Sequence, residues 1–136
     1  MEHRKQRLRL NQKPNHAALL LRNLATSIVL YETVRTTKKR AKVVAPMVEK
    51  LITTAKTKEP RIAIRAINAV VMHENASKKL MEVLKLRYAK RSSGYTRITP
   101  VGARKGDGAE LVDLELMDRD VEAAPVAEKK TSAKAK

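Results

Sequence analysis

The fold is decided by residues 37–56, TKKRAKVVAPMVEKLITTAK, where apolar residues recur every three or four positions. That spacing predicts an amphipathic helix with one buried face. Thr37 is the predicted N-cap, because its side-chain oxygen can accept a hydrogen bond from a first-turn amide. Pro46 lies inside the pattern and lacks an amide, so we expect a kink or local irregularity between Lys42 and Pro46. The predicted buried residues are Ala41, Val44, Val48, Leu51, Ile52 and Ala55.

Two further patterns precede this helix. Residues 15–30 predict a first helix with Asn15 as its N-cap, and the apolar stripe leaves Arg22 and Thr26 on the opposite, exposed side. The β-branched cluster around Val34 predicts one short strand between the two helices. The chain is therefore predicted to start with a helix, a strand and a helix.

Two more helices are predicted after the second. Pro60 is favoured in a first helical turn, and the apolar pattern continues to about Met72 with Ile62 on the buried face. Asn75 is the predicted cap of the next helix, which includes Val83 among its buried positions. The predicted outer sides of these helices carry Arg61, Arg65, Lys78, Lys79, Lys85 and Arg87.

The period of the pattern then falls to two, which is typical of strands. Residues 95–99 and 110–118 are the predicted strands, and residues 106–108 supply the reversal between them. Pro100 confines the first of these strands to a sheet edge or ends it. The predicted fold class is α+β, with one helix, a short strand, three helices and then two strands that form a small mixed sheet packed on the helices.

The charge of the chain is large and uneven. Its 136 residues include 30 Lys and Arg against 14 Asp and Glu, for a net charge of +16. Residues 1–106 hold 25 basic and 6 acidic residues, whereas residues 107–136 hold 5 basic and 8 acidic ones. The repulsion among these positive charges destabilises the compact chain, so a polyanionic partner is favoured. We predict a basic arm at 1–14, a globular domain at 15–120 and a disordered tail at 121–136.

The groups that catalysis requires are missing from the sequence. It has no cysteine, and His3, His16 and His73 have no partner at metal-ligand spacing. Asp113 and Glu115 share the solvated face of a predicted strand, whose other, buried face carries Val112, Leu114 and Leu116. We therefore predict no enzyme activity, no metal, no cofactor and no small-molecule substrate. No apolar run has the length of a membrane helix and no signal peptide is visible, so we expect a cytoplasmic protein without a membrane partner.

The aromatic content indicates which nucleic acid is favoured. Three tyrosines, with no tryptophan or phenylalanine, cannot build a platform on which single-stranded bases stack. Dispersed cations suit shape recognition of folded RNA through phosphates and sugar hydroxyls. Two alternatives remain open: a DNA-binding architectural or regulatory protein, and an RNA-modifying enzyme, for which the sequence offers no candidate residue.

Five groups of residues also follow one another along the chain in a recognisable order. The first two are His3-Arg4-Lys5 with Leu10-Asn11, and Arg22-Asn23-Leu24-Ala25. The third is Thr36-Thr37 with Lys39, Ala41-Lys42 and then Leu51-Ile52-Thr53 with Ala55-Lys56. The last two are Arg87-Tyr88 with Gly94-Tyr95-Thr96-Arg97-Ile98, and Gly106-Asp107 with Ala109, then Glu115-Leu116 with Asp118. Together they resemble the bacterial family of large-subunit ribosomal protein number seventeen over about residues 1–120. Glu2 and Ser93 depart from the family pattern, which commonly has arginine and glycine there.

The resemblance implies the same α+β order that the periodicity predicts. It further implies a structural role in the large ribosomal subunit near the peptide-exit side, with large-subunit rRNA and neighbouring ribosomal proteins as partners. We predict that the chain clamps several RNA segments and supports subunit assembly. By motif position, the resemblance implies rRNA binding by His3, Arg4, Lys5, Arg22, Lys39, Lys42 and Arg97. Charge alone adds Arg7, Arg9, Lys13, Lys38 and Arg40 to this predicted set.

Overall fold

The order of the elements confirms the predicted α+β class. The computed structural model describes residues 10–118. Its elements are α1 (Pro14–Tyr31), β1 (Thr33–Thr37), α2 (Lys38–Thr57), α3 (Pro60–Asn68), α4 (Glu74–Lys79), a π-helical segment (Leu80–Leu84), α5 (Lys85–Arg87), β2 (Thr96–Ala103) and β3 (Glu110–Leu116). The segments from α4 to α5 follow one another without a break and are together called the fourth helix. The predicted tail at 121–136 and most of the predicted arm lie outside the described residues.

The central helix, α2, forms largely as predicted. All six of its predicted core residues are buried, and Thr37 is its N-cap, although the Thr37 side chain makes no capping hydrogen bond. The helix is continuous from Lys38 to Thr57 and includes Pro46, so it does not break there, and a kink at this position stays a prediction. Pro46 lies on the exposed side, where solvent can satisfy the carbonyl that its missing amide leaves unpaired.

Two helices begin earlier than the sequence predicted. The cap of α1 is Lys13 and its first helical residue is Pro14, so Asn15 lies inside the first turn. The cap of the fourth helix is His73 rather than Asn75. Pro14 fixes a helical φ and needs no amide partner in the first turn, which explains the earlier start of α1.

The sheet has the order β1-β3-β2, and both strand pairs are antiparallel, which corrects the expectation of a mixed sheet. β3 takes the centre and runs antiparallel to both of its neighbours, so no pair of hydrogen-bonded strands is parallel. Pro100 lies in the edge strand β2, as predicted, beside a register shift between Pro100 and Gly102. The face of β3 that packs on the helices carries Val112, Leu114 and Leu116, all buried as predicted.

Several residues differ in burial from the prediction, among them Thr26, Ile62 and Val83. Thr26 is 3% exposed, because its hydroxyl donates to the Arg22 carbonyl at 2.8 Å and accepts from the Met72 amide at 3.2 Å. Ile62 is 54% exposed, because the buried stripe of α3 is narrow and is formed by Ala63 and Ile67, beside which Ile62 lies. Val83 is 43% exposed, because the wider π-helical turn brings Met81 against the core instead.

Glu32 joins the end of α1 to the fourth helix. It caps α1 with a left-handed φ of 62°, and its buried carboxylate lies 2.7 Å from Lys79 Nζ and 2.9 Å from Arg87 Nη1. These contacts correct the placement of Lys79 and Arg87 on the outer side. Burial by itself raises the pKa of Glu32, but the hydrogen bonds and charges of Arg87 and Lys79 outweigh it and lower the pKa.

Two of the three tyrosines belong to the core. The rings of Tyr88 and Tyr95 are fully buried, with centroids 5.0 Å apart. Tyr95 Oη accepts from Lys56 Nζ at 3.1 Å and donates to the Ser92 carbonyl at 2.8 Å. These two rings are therefore not available to stack on bases.

Candidate nucleic-acid interface

The predicted RNA-binding cations of α2 lie together because they occupy consecutive positions in its first turns. Lys38, Lys39 and Lys42 border a depression of about 440 Å³ that Ala109 and Glu110 close from the sheet side. The first turn contains no acidic residue. The helix therefore begins with three cations at residues 38–40, at the end where its own dipole is positive.

This arrangement is electrostatically unfavourable in the isolated chain. Glu110 relieves part of it, since its carboxylate lies 2.6 Å from Lys38 Nζ, and the hydrogen bond and charge of Lys38 lower the pKa of Glu110. Lys39 and Lys42 have no such ion pair among the described residues. An external phosphate would bind both the first-turn amides and these side chains, and so would stabilise the turn.

Arg40 points to another side of α2 than the depression. It borders a groove along α1, together with His16, Asn23 and Ser27. The first turn of α2 thus presents cations in two directions, toward the sheet edge and toward α1. That distribution would let one helix terminus contact two segments of a folded RNA.

Arg22 is bound within the fold. Its Nε donates to the Val70 carbonyl at 3.1 Å, and its Nη2 donates to the Ala69 carbonyl at 2.6 Å. These carbonyls follow the end of α3, where backbone acceptors lack helical partners. RNA contact by Arg22 stays a prediction. In the structure its guanidinium connects α1 to the backbone that follows α3.

Arg97 lies apart from the α2 cations. It is exposed on β2 and stands opposite Glu115 in the register, on the face of the sheet that points away from the helices. On the same face Arg35 forms two hydrogen bonds with Asp113, at 2.8 and 3.0 Å. The structure therefore does not bring Arg97 into one site with Lys39 and Lys42.

The remaining predicted site residues belong to the arm. Lys13 is exposed and directly precedes α1. The others, which lie outside the described residues, are His3, Arg4, Lys5, Arg7 and Arg9.

Several cations that the total charge suggested for binding are neutralised by nearby carboxylates. Arg104 forms a salt bridge with Asp107 in the β2–β3 turn, and Arg91 lies 3.0 Å from Asp118. Together with the Arg35–Asp113 and Lys38–Glu110 pairs, these contacts show that four acidic residues between 107 and 118 each neutralise a cation of the described domain. Sequence reasoning missed this distinction, because net charge does not show which cations have partners.

Two other kinds of site are absent from the part of the chain that the structure describes. Between residues 10 and 118, no group of three or more acidic or histidine side chains is arranged to hold a metal ion. No helix in that range combines the length and apolar character that crossing a membrane requires.

Comparison with known proteins gives one consistent result. Residues 20–117 match the family model of ribosomal protein L17. A relative from Exiguobacterium sp. is 43% identical over 114 residues, covering 80% of this chain and 97% of the relative. A relative from Dinoroseobacter shibae is 39% identical over 133 residues, covering 98% and 96%. One from Bradyrhizobium diazoefficiens is 37% identical over 138 residues, covering 98% and 99%. Each of these relatives is named large ribosomal subunit protein bL17.

Proposed function

This chain belongs to the ribosomal protein L17 family, and we propose on that basis that it is a structural constituent of the large ribosomal subunit, binding folded rRNA through phosphate and sugar contacts. Its place is accordingly the cytoplasmic ribosome, and its partners are large-subunit rRNA and neighbouring ribosomal proteins. The observation that carries the binding mode is the first turn of α2, where three consecutive cations meet a positive helix terminus without an acidic residue.

The binding mechanism follows from the chemistry of that turn. Lys39 and Lys42 supply ammonium donors beside amides that have no helical partner, so a phosphate there receives charge-assisted hydrogen bonds from both. Arg40 reaches a second segment on the α1 side. Each phosphate neutralised in this way releases a condensed counterion, so the affinity depends strongly on salt.

The arm and the domain contribute differently to binding. The first turn of α2 is fixed by the sheet and the core, so little ordering entropy opposes its contacts. Residues 1–9 carry four further Lys and Arg, and they would extend the contact beyond the domain. A chain that holds two or more RNA segments at once favours their folded arrangement, which is how it would support subunit assembly.

A structural role fits the family better than catalysis does. A structural role requires the chain to bind RNA and to keep its folded shape, and it requires no reacting group. Neighbouring ribosomal proteins are the remaining partners, and the exposed apolar residues outside the α2 region are candidates for their contacts.

Sedimentation of a bacterial lysate tests this function. The tagged full-length chain should travel with the large subunit through moderate salt. The variant K39Q/R40Q should be released from the subunit at lower salt than K78Q/K90Q, which removes the same charge from exposed positions on and after the fourth helix. Migration of the wild-type chain with nucleoid DNA instead would contradict the proposal and favour a DNA-binding role.

A further inference from the structure

The exposed side of α2 is a single stripe that continues well beyond its first turn. Its members are Lys39, Lys42, Pro46, Lys50, Thr53 and Thr57, all exposed. Successive members are three or four residues apart, so they lie one above another along the helix. We call this set the outer stripe. Most of it lies outside the residues predicted to bind RNA, since only Lys39 and Lys42 belong to that set.

No carboxylate of α2 opposes the charge of the outer stripe. The one acidic residue of the helix, Glu49, accepts a hydrogen bond from Thr96 Oγ1 at 3.0 Å and is thereby directed toward β2. Lys56 is likewise directed to the sheet side, where it meets Tyr95. The outer stripe therefore combines three cations with two hydroxyl groups and has no acidic member.

The spacing of the stripe suits a nucleic-acid backbone. Lys42 and Lys50 are eight residues apart, which is about 12 Å along a helix axis at 1.5 Å per residue. A nucleic-acid strand carries one charge per about 3.4 Å of its axis, so this separation spans about three to four phosphates. Both lysines can therefore contact the same strand if α2 lies along it.

The two threonines of the outer stripe present hydroxyl oxygens that can only accept further hydrogen bonds. Thr53 Oγ1 donates to the Glu49 carbonyl at 2.9 Å, and Thr57 Oγ1 donates to the Thr53 carbonyl at 2.8 Å. Each hydroxyl has thus used its only hydrogen and retains acceptor lone pairs. An ionised phosphate has no hydrogen to donate to them, whereas a ribose 2′-hydroxyl has one.

We propose that the outer stripe of α2 tracks one RNA strand, with Lys42 and Lys50 on phosphates and Thr53 and Thr57 accepting hydrogen bonds from ribose 2′-hydroxyls. This inference rests on the proposed binding of rRNA and adds to it a defined face of α2, three further contact residues (Lys50, Thr53 and Thr57) and a basis for preferring RNA over DNA. The cations determine the affinity for the strand, and the threonines determine the preference for ribose over deoxyribose.

The phosphate contacts are tested by the salt dependence of binding to protein-free large-subunit rRNA. Loss of two phosphate contacts in K42Q/K50Q should lower the slope of log affinity against log salt by about 1.4 to 1.8. The matched control K78Q/K90Q removes the same charge away from the stripe and should leave the slope nearly unchanged. Equal slopes for the two variants would overturn the proposal while rRNA binding itself stands. Failure of the wild-type chain to bind rRNA would overturn both.

The sugar contacts are tested by comparing an RNA duplex with a DNA duplex of the same sequence. T53V should lower RNA affinity about two- to tenfold, the size of one net hydrogen bond, with no loss on DNA. T99V, an exposed threonine on β2, is the matched control and should change neither. Valine and threonine have similar helix propensities, so the helix is kept, which thermal melting would verify. An unchanged RNA-to-DNA ratio in T53V and T57V would overturn the role of the threonines.

Discussion

The ion cluster around Glu32 predicts a specific loss of stability. Glu32→Gln removes the negative charge and leaves Lys79 and Arg87 facing each other across a buried amide. Their side chains are 25% and 13% exposed, and that of Glu32 is 10% exposed, so water can compensate only in part. The cluster joins elements that are far apart in the chain, and its loss should therefore affect the whole domain.

The size of the effect follows from burial. Removing one partner of a buried ion pair costs about 3–5 kcal/mol, and the partial exposure of Lys79 places this variant near 3 kcal/mol. Glu32→Gly loses the same charge but relieves a backbone φ of 62°, which is unfavourable for a residue with a Cβ atom. That relief amounts to about 1 kcal/mol, so the glycine variant should lose correspondingly less stability.

The contribution of Glu32 should also depend on pH. Its pKa is lowered in the folded state, so the unfolded chain takes up a proton first as the pH falls. The stabilisation is therefore fully present above the ordinary carboxyl pKa of about 4.3 and is lost as the pH drops through the lower folded value. The difference between wild type and Glu32→Gln should be constant from about pH 5 to 8 and shrink below pH 4.

Denaturant titration followed by circular dichroism measures both effects. Glu74→Gln is the matched control, because Glu74 forms an exposed pair with Lys78 and its loss should change the unfolding free energy little. If Glu32→Gln and Glu74→Gln unfold at the same denaturant concentration, the buried cluster does not stabilise the fold and the reasoning is refuted.

Two further variants separate folding from binding. Arg22→Gln should lose about 1–2 kcal/mol of unfolding free energy, because the Ala69 and Val70 carbonyls lose their hydrogen-bond donor. Arg97→Gln is the control and should unfold like wild type. Equal denaturant midpoints for the two variants would contradict the structural role of Arg22. Deleting residues 1–9, which removes four Lys and Arg but keeps the start of α1, should lower the salt slope of rRNA binding by about three to four. An unchanged slope would show that the arm makes no phosphate contacts.

Elements with strong periodicity were predictable from the sequence. The buried face of α2 and the alternation of Val112, Leu114 and Leu116 depend on local patterns that tertiary contacts reinforce. Strand directions were not predictable in the same way, because the place of β3 between β1 and β2 depends on pairing across most of the chain. The predicted mixed sheet was wrong for that reason.

Contacts between distant residues explain most of the other differences. Nothing near Glu32 in the sequence indicates that its carboxylate meets Arg87, 55 residues away. Thr26 was assigned to the exposed side by its polarity, although its hydroxyl finds partners at both Arg22 and Met72. Polar residues are buried where such partners exist, and a single sequence does not show them.

The candidate site was predictable only where its residues are neighbours in sequence. Lys38, Lys39 and Arg40 were predicted because they form one run. Lys50 is isolated in sequence and was not predicted, although its helical spacing from Lys42 places both on the exposed side of α2. Whether the arm residues bind RNA stays a prediction.

No loop residue separates β1 from α2. Thr37 is the last residue of the strand, and Lys38 is the first residue of the helix. Inserting one residue at this point would turn every side chain of α2 by about 100° relative to the sheet. The hairpin at residues 105–108, by contrast, can lengthen without moving any other element. Evolutionary and engineered length changes should therefore accumulate in the hairpin, while the strand–helix junction keeps its length.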